Sequence, residues 1–507
     1  MSPNPAVSSA VSSVASSDVI PTEKPALPDG LVAIIKRDCP TCVTVAPVLA
    51  DLASRLPLTV YTQDDVSAWS DLALPPSLNP VEDTSLALSW HNHIDTVPTV
   101  LRVENGIERD RIVGWDRSQW QAFTSQTLLA PTATDFSPGC GSRSVDPGLA
   151  DELAVRFSGS RLHSRRVELA ELEDEAEAMY DRGWSDGLPV VAPTEARVLR
   201  MLEGTTRDPQ EIVAIVPPAL VEVTVEQVAI NAVMAGCKPE YLPVVLAAVE
   251  AACTDQFNIH GLLCTLWFSG PLVIVNGPIR NQIGMNSQKN ALGQGNRANS
   301  TIGRALQLVV RNLGGGRPGF GGIDRSALGA PSKIGWCVAE DEENLPEGWP
   351  PLSVERGFER GQNTVTLFAG HGPIGAVDQV SRTPESLTRS LAAQLLTVGH
   401  PKLPSEAMLI MTPEHQRVLA EAGWSKARFR EELEPQLMLD GDTAQKGAGG
   451  IEEGLPPELA GRKVSKFRPG SLMIMRAGGD AGAFSAIIEG WVGGRRGSEP
   501  ITQPIRS

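Results

Sequence analysis

An apolar run followed by two cysteines decides the fold of the first part of the chain. The run Leu31-Val32-Ala33-Ile34-Ile35 is typical of a buried strand, and Cys39-Pro40-Thr41-Cys42 follows it. Apolar residues at positions 45, 48, 49, 52 and 56 then recur at three- and four-residue spacing, which indicates a helix. The sequence therefore predicts a strand, a turn that carries both cysteines, and a helix.

The residues that follow predict a second strand and a hairpin. Residues 58–61 have the composition of a strand. Residues 97–103 and 108–113 flank Asn105-Gly106, and an Asn-Gly pair between two apolar runs is a strong hairpin pattern. The predicted order is strand, cysteine pair, helix, strand, hairpin and a final helix.

The C-x-x-C spacing points to redox chemistry or metal binding. Cys39 would lie at the helix N-terminus, where unpaired N–H groups and the helix dipole stabilise a thiolate. Cys42 would lie one turn further in, shielded and suited to resolve a mixed disulfide. The alternatives are half of a zinc site or two inert buried thiols, but no second C-x-x-C or nearby histidine pair completes a zinc site.

Four features in this order give a resemblance to the thioredoxin fold over residues 29–127. They are Cys39-Pro40-Thr41-Cys42, Pro47 inside the helix, Thr96-Val97-Pro98-Thr99, and Gly114-Trp115 after the hairpin. The resemblance implies that Pro98 is a cis proline that faces the dithiol. It also implies an electron donor of the thioredoxin reductase type or a low-molecular-weight thiol.

One position departs from the thioredoxin pattern. Asp38 stands where an aromatic residue usually precedes the first cysteine. A neighbouring carboxylate disfavours the thiolate, whereas the helix N-terminus favours it. The sequence therefore predicts two opposing influences on the pKa of Cys39.

Length and composition limit the class of protein. A chain of 507 residues and 54.0 kDa is too long for one ordinary core, so two or three domains are expected. The net charge of −16 argues against nucleic acid or an anionic membrane as the main partner. With no apolar run that spans a membrane, no signal-peptide pattern and only seven cysteines, the sequence favours a cytoplasmic protein. Residues 1–28, rich in Ser, Ala and Pro, predict a disordered tail.

Residues 128–165 are predicted to be a linker that carries Cys140 on a loop. Gly139 and Gly141 flank this cysteine, which favours a mobile and exposed position. One hypothesis is that Cys140 is a substrate-facing thiol that the C-x-x-C pair regenerates. The alternative is an idle cysteine on a linker.

Residues 166–500 predict a larger α/β layered domain, because apolar strands alternate with helical patterns. Several strands end in Gly-, Asn- or Pro-rich loops, which we expect at one edge of the sheet, where such folds bind ligands. His371, between two glycines after a strand, is the best candidate for a general acid or base, and His260 is the second. Asn276 and Lys333 are candidate substrate-binding residues.

The most polar stretch of this domain, residues 284–300, leads directly into a helix. Asn286, Arg297 and Asn299 are predicted to line a pocket for an anionic or carboxamide-bearing ligand. The alternative is a surface loop in which the asparagines bind their own backbone. No phosphate-binding loop or metal-ligand spacing occurs, so neither a cofactor nor a metal is predicted.

Four strings in this domain resemble the UGSC family of bacterial (seleno)proteins. They span residues 183–195, 231–241, 295–305 and 337–343. The family is named for selenocysteine or cysteine followed by Gly-Ser-Cys, and Cys140-Gly141-Ser142-Arg143 approaches that motif with Arg143 as its last residue. The resemblance implies kinship and leaves the reaction open, and Cys237 and Cys337 within the strings are further candidate thiols.

Three functions are compatible with these patterns. The leading hypothesis is a thiol-dependent redox enzyme in which the thioredoxin-like domain exchanges electrons with a domain that binds a small polar or anionic molecule. The second is a lyase or hydrolase that uses His371 and Lys333, with the first domain only protecting a cysteine. The third is a redox-sensing scaffold without turnover, whose partner is another protein.

Overall fold

The computed structural model describes residues 24–70, 78–127, 134–159, 162–170, 173–319, 322–399, 405–442, 457–480, 482–491 and 497–506. The chain divides into two compact units, unit 1 (Met1–Arg161) and unit 2 (Leu162–Ser507). Both units combine helices and strands, so the predicted α/β class is confirmed. The predicted tail lies outside the described residues except for residues 24–28.

Unit 1 is built around one five-stranded sheet. Its elements are β1 (Gly30–Ile35), α1 (Pro40–Ala53), β2 (Leu58–Thr62), β3 (Val81–Glu82), α2 (Ala87–His91), β4 (Thr96–Val97), β5 (Thr99–Glu104), β6 (Ile107–Val113), β7 (Trp115–Asp116), α3 (Arg117–Thr124), β8 (Phe136–Ser137), β9 (Cys140–Gly141) and α4 (Leu149–Phe157). The sheet order is β3-β2-β1-β5-β6. β1 is parallel to β2 and antiparallel to β5, and β5 and β6 form the predicted hairpin.

The core of unit 1 forms where α1 packs on β1. Residues 32–35 of β1 are fully buried, as the continuous apolar run predicts for a central strand. Val45, Val48, Leu49 and Leu52 of α1 are also fully buried and belong to the same cluster. This packing fixes the N-terminal end of α1, and with it the two cysteines, against the end of β1.

The segment predicted to be a linker, residues 128–165, does not form one connector. Residues 134–159 belong to unit 1, where β8 pairs with β7 and β9 pairs with β4. Helix α4 buries Leu153 and Phe157 against Leu86 and Ala87. The boundary between the two units lies after Arg161.

Among its described residues, unit 2 contains a seven-stranded sheet, two separate two-stranded ladders and most of the helices. Its elements are α5 (Glu175–Asp181), α6 (Glu195–Leu202), β10 (Ile212–Val216), β11 (Val221–Thr224), α7 (Val225–Ala235), α8 (Leu242–Ala252), α9 (Ile259–Cys264), β12 (Gly270–Asn276), α10 (Ile279–Gln282), α11 (Arg297–Asn312), β13 (Trp336–Ala339), α12 (Leu352–Glu355), β14 (Thr364–Val377), α13 (Pro384–Leu395), β15 (Ser405–Met411), α14 (Pro413–Glu421), α15 (Lys426–Leu433), β16 (Met438–Asp440), β17 (Lys463–Ser465), β18 (Phe467–Arg476), β19 (Phe484–Gly490) and β20 (Ile501–Pro504). The sheet order is β13-β12-β14-β19-β15-β18, and β20 pairs with β14.

Two groups of helices cover one face of this sheet. Val273 and Leu367 are opposite each other in the ladder and belong to a cluster with α7, α8 and α11. Leu409 of β15 and Ile487 of β19 are also opposite each other, and they belong to a second cluster, with α13, α14 and α15. The alternate residues, such as Phe368, form a separate cluster on the other face, as the two-residue period of a strand requires.

The strand directions correct one expectation about the loops. β12 is parallel to β13 but antiparallel to β14, and the register places Asn276 opposite Thr364 and Gly270 opposite Gly370. Asn276 and His371 therefore lie at opposite ends of β12, about 20 Å apart along the strand. The loops that follow these strands do not gather at one edge, because the sheet is mixed rather than parallel.

Candidate active site

Cys39 and Cys42 lie at the N-terminal end of α1. Cys39 is the N-cap residue, and its Sγ accepts a hydrogen bond from the backbone N–H of Cys42 at 3.3 Å. Pro40 follows in the first turn, where the missing N–H has no cost. Cys42 lies one turn inside the helix, and its Sγ accepts a hydrogen bond from the backbone N–H of Lys36 at 3.5 Å. Neither cysteine has solvent-exposed surface.

The two sulfurs differ in their affinity for a proton. Hydrogen bonds from the Cys42 thiol, the Cys140 thiol and the N–H groups of Cys42 and Thr41 lower the pKa of Cys39 to about 5, although burial opposes ionisation. Burial raises the pKa of Cys42 far above its ordinary value, and the hydrogen bond with Cys39 raises it further. At neutral pH Cys39 is therefore the thiolate and Cys42 the thiol.

Asp38 does not prevent ionisation of Cys39. Its carboxylate lies 3.3 Å from Lys36 Nζ, and the side chain of Asp38 is 72% exposed. Water and the ammonium group both weaken the field of the carboxylate at the sulfur. Of the two influences that the sequence predicts, the hydrogen bonds at the helix N-terminus are the stronger.

Cys140 lies beside the cysteine pair. β9 pairs antiparallel with β4, so that Val97 is opposite Cys140 and Thr96 is opposite Gly141. The carbonyl oxygen of Val97 lies 3.5 Å from Cys39 Sγ, and the Cys140 thiol hydrogen-bonds to the same sulfur. Pro98 follows Val97 through a cis peptide bond. The structure thus brings together Cys39, Cys42, Pro98 and Cys140, all predicted as catalytic.

Side chains on both sides of β9 hold it in place. Thr41 Oγ1 lies 2.8 Å from Ser137 Oγ. Gln63 Nε2 donates a hydrogen bond to Ser142 Oγ at 2.5 Å, and the backbone N–H of Arg143 donates one to Gln63 Oε1 at 3.0 Å. These contacts, rather than the mobile, exposed loop that the flanking glycines predicted, surround Cys140. Gly139 permits the close approach of this segment to Thr96 and Val97.

The other cysteines of the described residues have a different character. Burial raises the pKa of Cys237 and of Cys253 to about 12, and it raises the pKa of Cys337 as well. All three are therefore thiols at neutral pH. Cys264 is exposed on α9. Burial also raises the pKa of Cys140, but Cys140 is partly exposed and hydrogen-bonds to Cys39. Cys237 and Cys337 are buried thiols, so they do not have the properties expected of reactive residues.

His371, the remaining predicted catalytic residue, lies on β14 in unit 2. Its Nε2 lies 3.1 Å from Oε2 of Glu489, a buried residue of β19. The rings of Trp267 and Phe268 pack edge-on against the imidazole, with centroids at 6.0 and 5.4 Å. An imidazole paired with a carboxylate is suited to general acid–base chemistry. Glu489 has no local sequence pattern, because only the sheet register places it beside His371.

Lys333 and Asn276 are both bound to carboxylates of the protein. Lys333 Nζ forms an ion pair with Asp324 Oδ1 at 2.8 Å, near the Gly270 end of β12. Asn276 is fully buried, and its Nδ2 donates hydrogen bonds to Glu340 Oε2 at 2.7 Å and Glu342 Oε1 at 2.8 Å. The amide of Asn276 thus stabilises the protein interior, and its predicted role in substrate binding finds no support in this geometry.

The polar loop of residues 284–300 binds mainly to itself. Asn299 Oδ1 accepts a hydrogen bond from the backbone N–H of Asn286, and its Nδ2 donates to the Asn286 carbonyl at 2.8 Å. Arg297 is exposed, and its Nε donates to the carbonyl of Gly236 at the end of α7. The three residues predicted to line a pocket therefore satisfy backbone groups. The geometry agrees with the alternative of a capped surface loop, and a role of these residues in ligand binding stays a prediction.

A cavity of about 580 Å³ in unit 2 was not predicted from the sequence. Its aromatic and polar lining residues include Trp184, Thr194, Glu226, Asn231 and Asn312. Although burial opposes ionisation, hydrogen bonds from the backbone N–H groups of residues 163 and 164 hold the pKa of Glu226 below its usual value. Trp184, Thr194 and Asn231 lie in the strings at residues 183–195 and 231–241. These two strings are the sequence pattern that could have indicated the cavity.

Within the described ranges, no helix is both long and apolar enough to cross a membrane. The same ranges contain no group of three or more His, Cys, Asp or Glu side chains arranged to hold a metal ion. Comparison of the chain with family models, curated proteins and solved structures returned no match.

Proposed function

We propose that the protein is a thiol-dependent redox enzyme in which a thioredoxin-like unit 1 exchanges electrons with a UGSC-like unit 2 that acts on a small polar or anionic molecule. The observation that carries the proposal is the position of a buried cysteine pair at the N-terminus of α1, where the pKa of Cys39 is lowered and the pKa of Cys42 is raised. The order of strand, cysteine pair, helix, strand, hairpin and helix in unit 1 supports it. The cavity beside Trp184 is the candidate site for the small molecule.

The reaction at the cysteine pair is thiol–disulfide exchange. The Cys39 thiolate attacks a disulfide R–S–S–R′, forms a bond to the R′ sulfur and displaces R–S⁻, which takes the proton of Cys42. The Cys42 thiolate then attacks Cys39 and displaces R′–S⁻, so one disulfide is reduced while the pair is oxidised. The mixed disulfide removes the negative charge of Cys39, which is one cause of the raised pKa of Cys42. The first step therefore lowers the pKa of Cys42 and favours the thiolate that attacks in the second step.

The proposed electron donor is a thioredoxin reductase or a low-molecular-weight thiol, which returns the oxidised pair to the dithiol. The net charge of −16 disfavours nucleic acid and anionic membranes as partners. The proposed location is the cytoplasm, where thiols are kept reduced.

The proposal predicts how the thiolate of Cys39 titrates. Because its pKa is lowered to about 5 from an ordinary value of 9.0, the thiolate should form as the pH rises through about 5 and be complete by neutral pH. The measurement is the ultraviolet absorbance of the thiolate in the reduced full chain, minus that of a Cys39→Ser variant. A Cys253→Ser variant is the control and should leave this transition unchanged. A difference curve with its midpoint near 9 would contradict the proposal.

A second candidate function is a lyase or hydrolase in unit 2. The observation that favours it is the pair of His371 and Glu489, closed on one side by Trp267 and Phe268. Lys333 lies towards the same end of the sheet, where its charge is paired with Asp324. Such a site would transfer protons without a thiol.

One comparison separates the two functions. Small metabolites extracted from cells are incubated with the reduced protein, with a Cys39→Ser/Cys42→Ser variant and with a His371→Gln variant. The redox proposal predicts that consumption of a metabolite needs the cysteines. If consumption persists without them and falls about 100-fold in His371→Gln, the second function is correct. His93→Gln, which changes an exposed histidine of unit 1, is the matched control.

A further inference from the structure

Three sulfur atoms meet in unit 1, and their exposure to solvent differs. Cys39 and Cys42 have no exposed surface, whereas Cys140 is partly exposed. A reagent in solution therefore reaches Cys140 more easily than the other two. The Cys140 thiol also hydrogen-bonds directly to Cys39.

The backbone is shaped to hold Cys140 in this position. A β-carbon at Gly139 would lie 2.4 Å from Thr96 Cγ2 and 3.1 Å from the Val97 carbonyl oxygen, so only glycine permits this approach. The same Val97 carbonyl lies 3.5 Å from Cys39 Sγ. β9 thus occupies the edge of β4 next to the cysteine pair, where an extended segment of another molecule would otherwise add by strand pairing.

We propose that Cys140 is a third redox-active thiol, which reacts with a low-molecular-weight disulfide and passes the oxidation to Cys39 through a Cys39–Cys140 disulfide. The proposal rests on the proposed function, because it uses the same cysteine pair as the final acceptor. The oxidant is a small disulfide, since β9 covers the edge of β4 that a larger partner would need.

Three exchange steps carry the oxidation from the small disulfide to the cysteine pair. The Cys140 thiol loses its proton as it attacks R–S–S–R, and the R–S⁻ that it displaces takes this proton and leaves as R–SH. The Cys39 thiolate attacks the Cys140 sulfur, forms the Cys39–Cys140 disulfide and displaces a second R–S⁻, which takes the proton of Cys42. The Cys42 thiolate attacks Cys39, forms the Cys39–Cys42 disulfide and releases Cys140, which regains a proton from water. One small disulfide is reduced to two thiols, and the pair loses two electrons.

The test uses the full chain with oxidised glutathione. In a Cys42→Ser variant the last step is blocked, so we expect peptide mass spectrometry without reduction to find the Cys39–Cys140 disulfide. In a Cys140→Ser variant the Cys39–Cys42 disulfide should form at least about tenfold more slowly, because Cys39 is buried. Cys264→Ser, which removes an exposed cysteine of unit 2, should leave the rate unchanged.

The outcomes separate this inference from the proposed function. If the unaltered chain forms the Cys39–Cys42 disulfide but Cys42→Ser holds glutathione without a link to Cys140, the third-thiol proposal is wrong and the exchange proposal stands. If the unaltered chain forms no Cys39–Cys42 disulfide, the proposed function is wrong. An unchanged rate in Cys140→Ser also overturns the third-thiol proposal.

Discussion

A chain with serine in place of Cys39 should lose dithiol-dependent reduction of a small disulfide by about a thousandfold or more, because the oxidation reaches Cys42 through the Cys39 thiolate in both proposed routes. Serine keeps the size of the side chain and can still cap α1, so the fold of unit 1 should be unchanged. The measurement is the steady-state rate of reduction of hydroxyethyl disulfide with dithiothreitol as the electron donor.

Two variants make this result specific. Cys42→Ser keeps the nucleophile, so it should still form a mixed or internal disulfide once while losing repeated turnover. Cys253→Ser changes a cysteine whose pKa burial raises to about 12, and it should keep the full rate. If Cys39→Ser retained the rate of the unaltered chain, Cys39 would not be the attacking thiol.

The local patterns of unit 1 were sufficient to predict its central elements. A continuous apolar run at residues 31–35 has little alternative to a buried strand, and an Asn-Gly pair between two strand patterns specifies a hairpin. Cys39 was placed at the start of a helix because the helical spacing of apolar residues begins just after Cys42. Each of these inferences depends on neighbours in sequence, and each element is present in the structure.

The position of Cys140 depends on a contact that leaves no local pattern. A ladder of two residues with Thr96 and Val97 has no periodicity, and Gly139 and Gly141 are equally typical of a mobile loop. The identity of Gly139 is explained only by the distance to Thr96, which the fold sets. The pairing of His371 with Glu489 depends in the same way on the register between β14 and β19.

The polar loop of unit 2 illustrates a different limit. Composition indicates that residues 284–300 carry many donors and acceptors, but it does not indicate whether their partners are a ligand or the loop backbone. Asn286 and Asn299 bind each other's backbone and side-chain groups, so the same residues that suggested a pocket stabilise a turn. A polar stretch of sequence can thus reflect packing as well as chemistry.

Replacing Gly303 by alanine should destabilise unit 2 by about 3 kcal/mol, at the upper end of the cost of overpacking. Gly303 lies in α11, where the helix packs directly on β13. A β-carbon there would lie 2.4 Å from the backbone nitrogen of Trp336 and 2.7 Å from its carbonyl atoms. Backbone atoms cannot rotate away as a side chain can, so the helix and the strand must separate. Gly335 makes a similar approach to Arg304, which leaves little room for a compensating shift.

The measurement is the denaturant midpoint of unit 2 in the full chain, with Gly375→Ala as the matched control. Gly375 lies on β14, its β-carbon would meet no atom within 4 Å, and we expect a change within about 0.5 kcal/mol. Gly303 belongs to the string at residues 295–305, so a large loss of stability would assign that part of the string to helix–sheet packing. Equal stability of the two variants would mean that α11 and β13 are not in this close contact. The titration of Cys39 in unit 1 should be the same in both variants, because its causes all lie within unit 1.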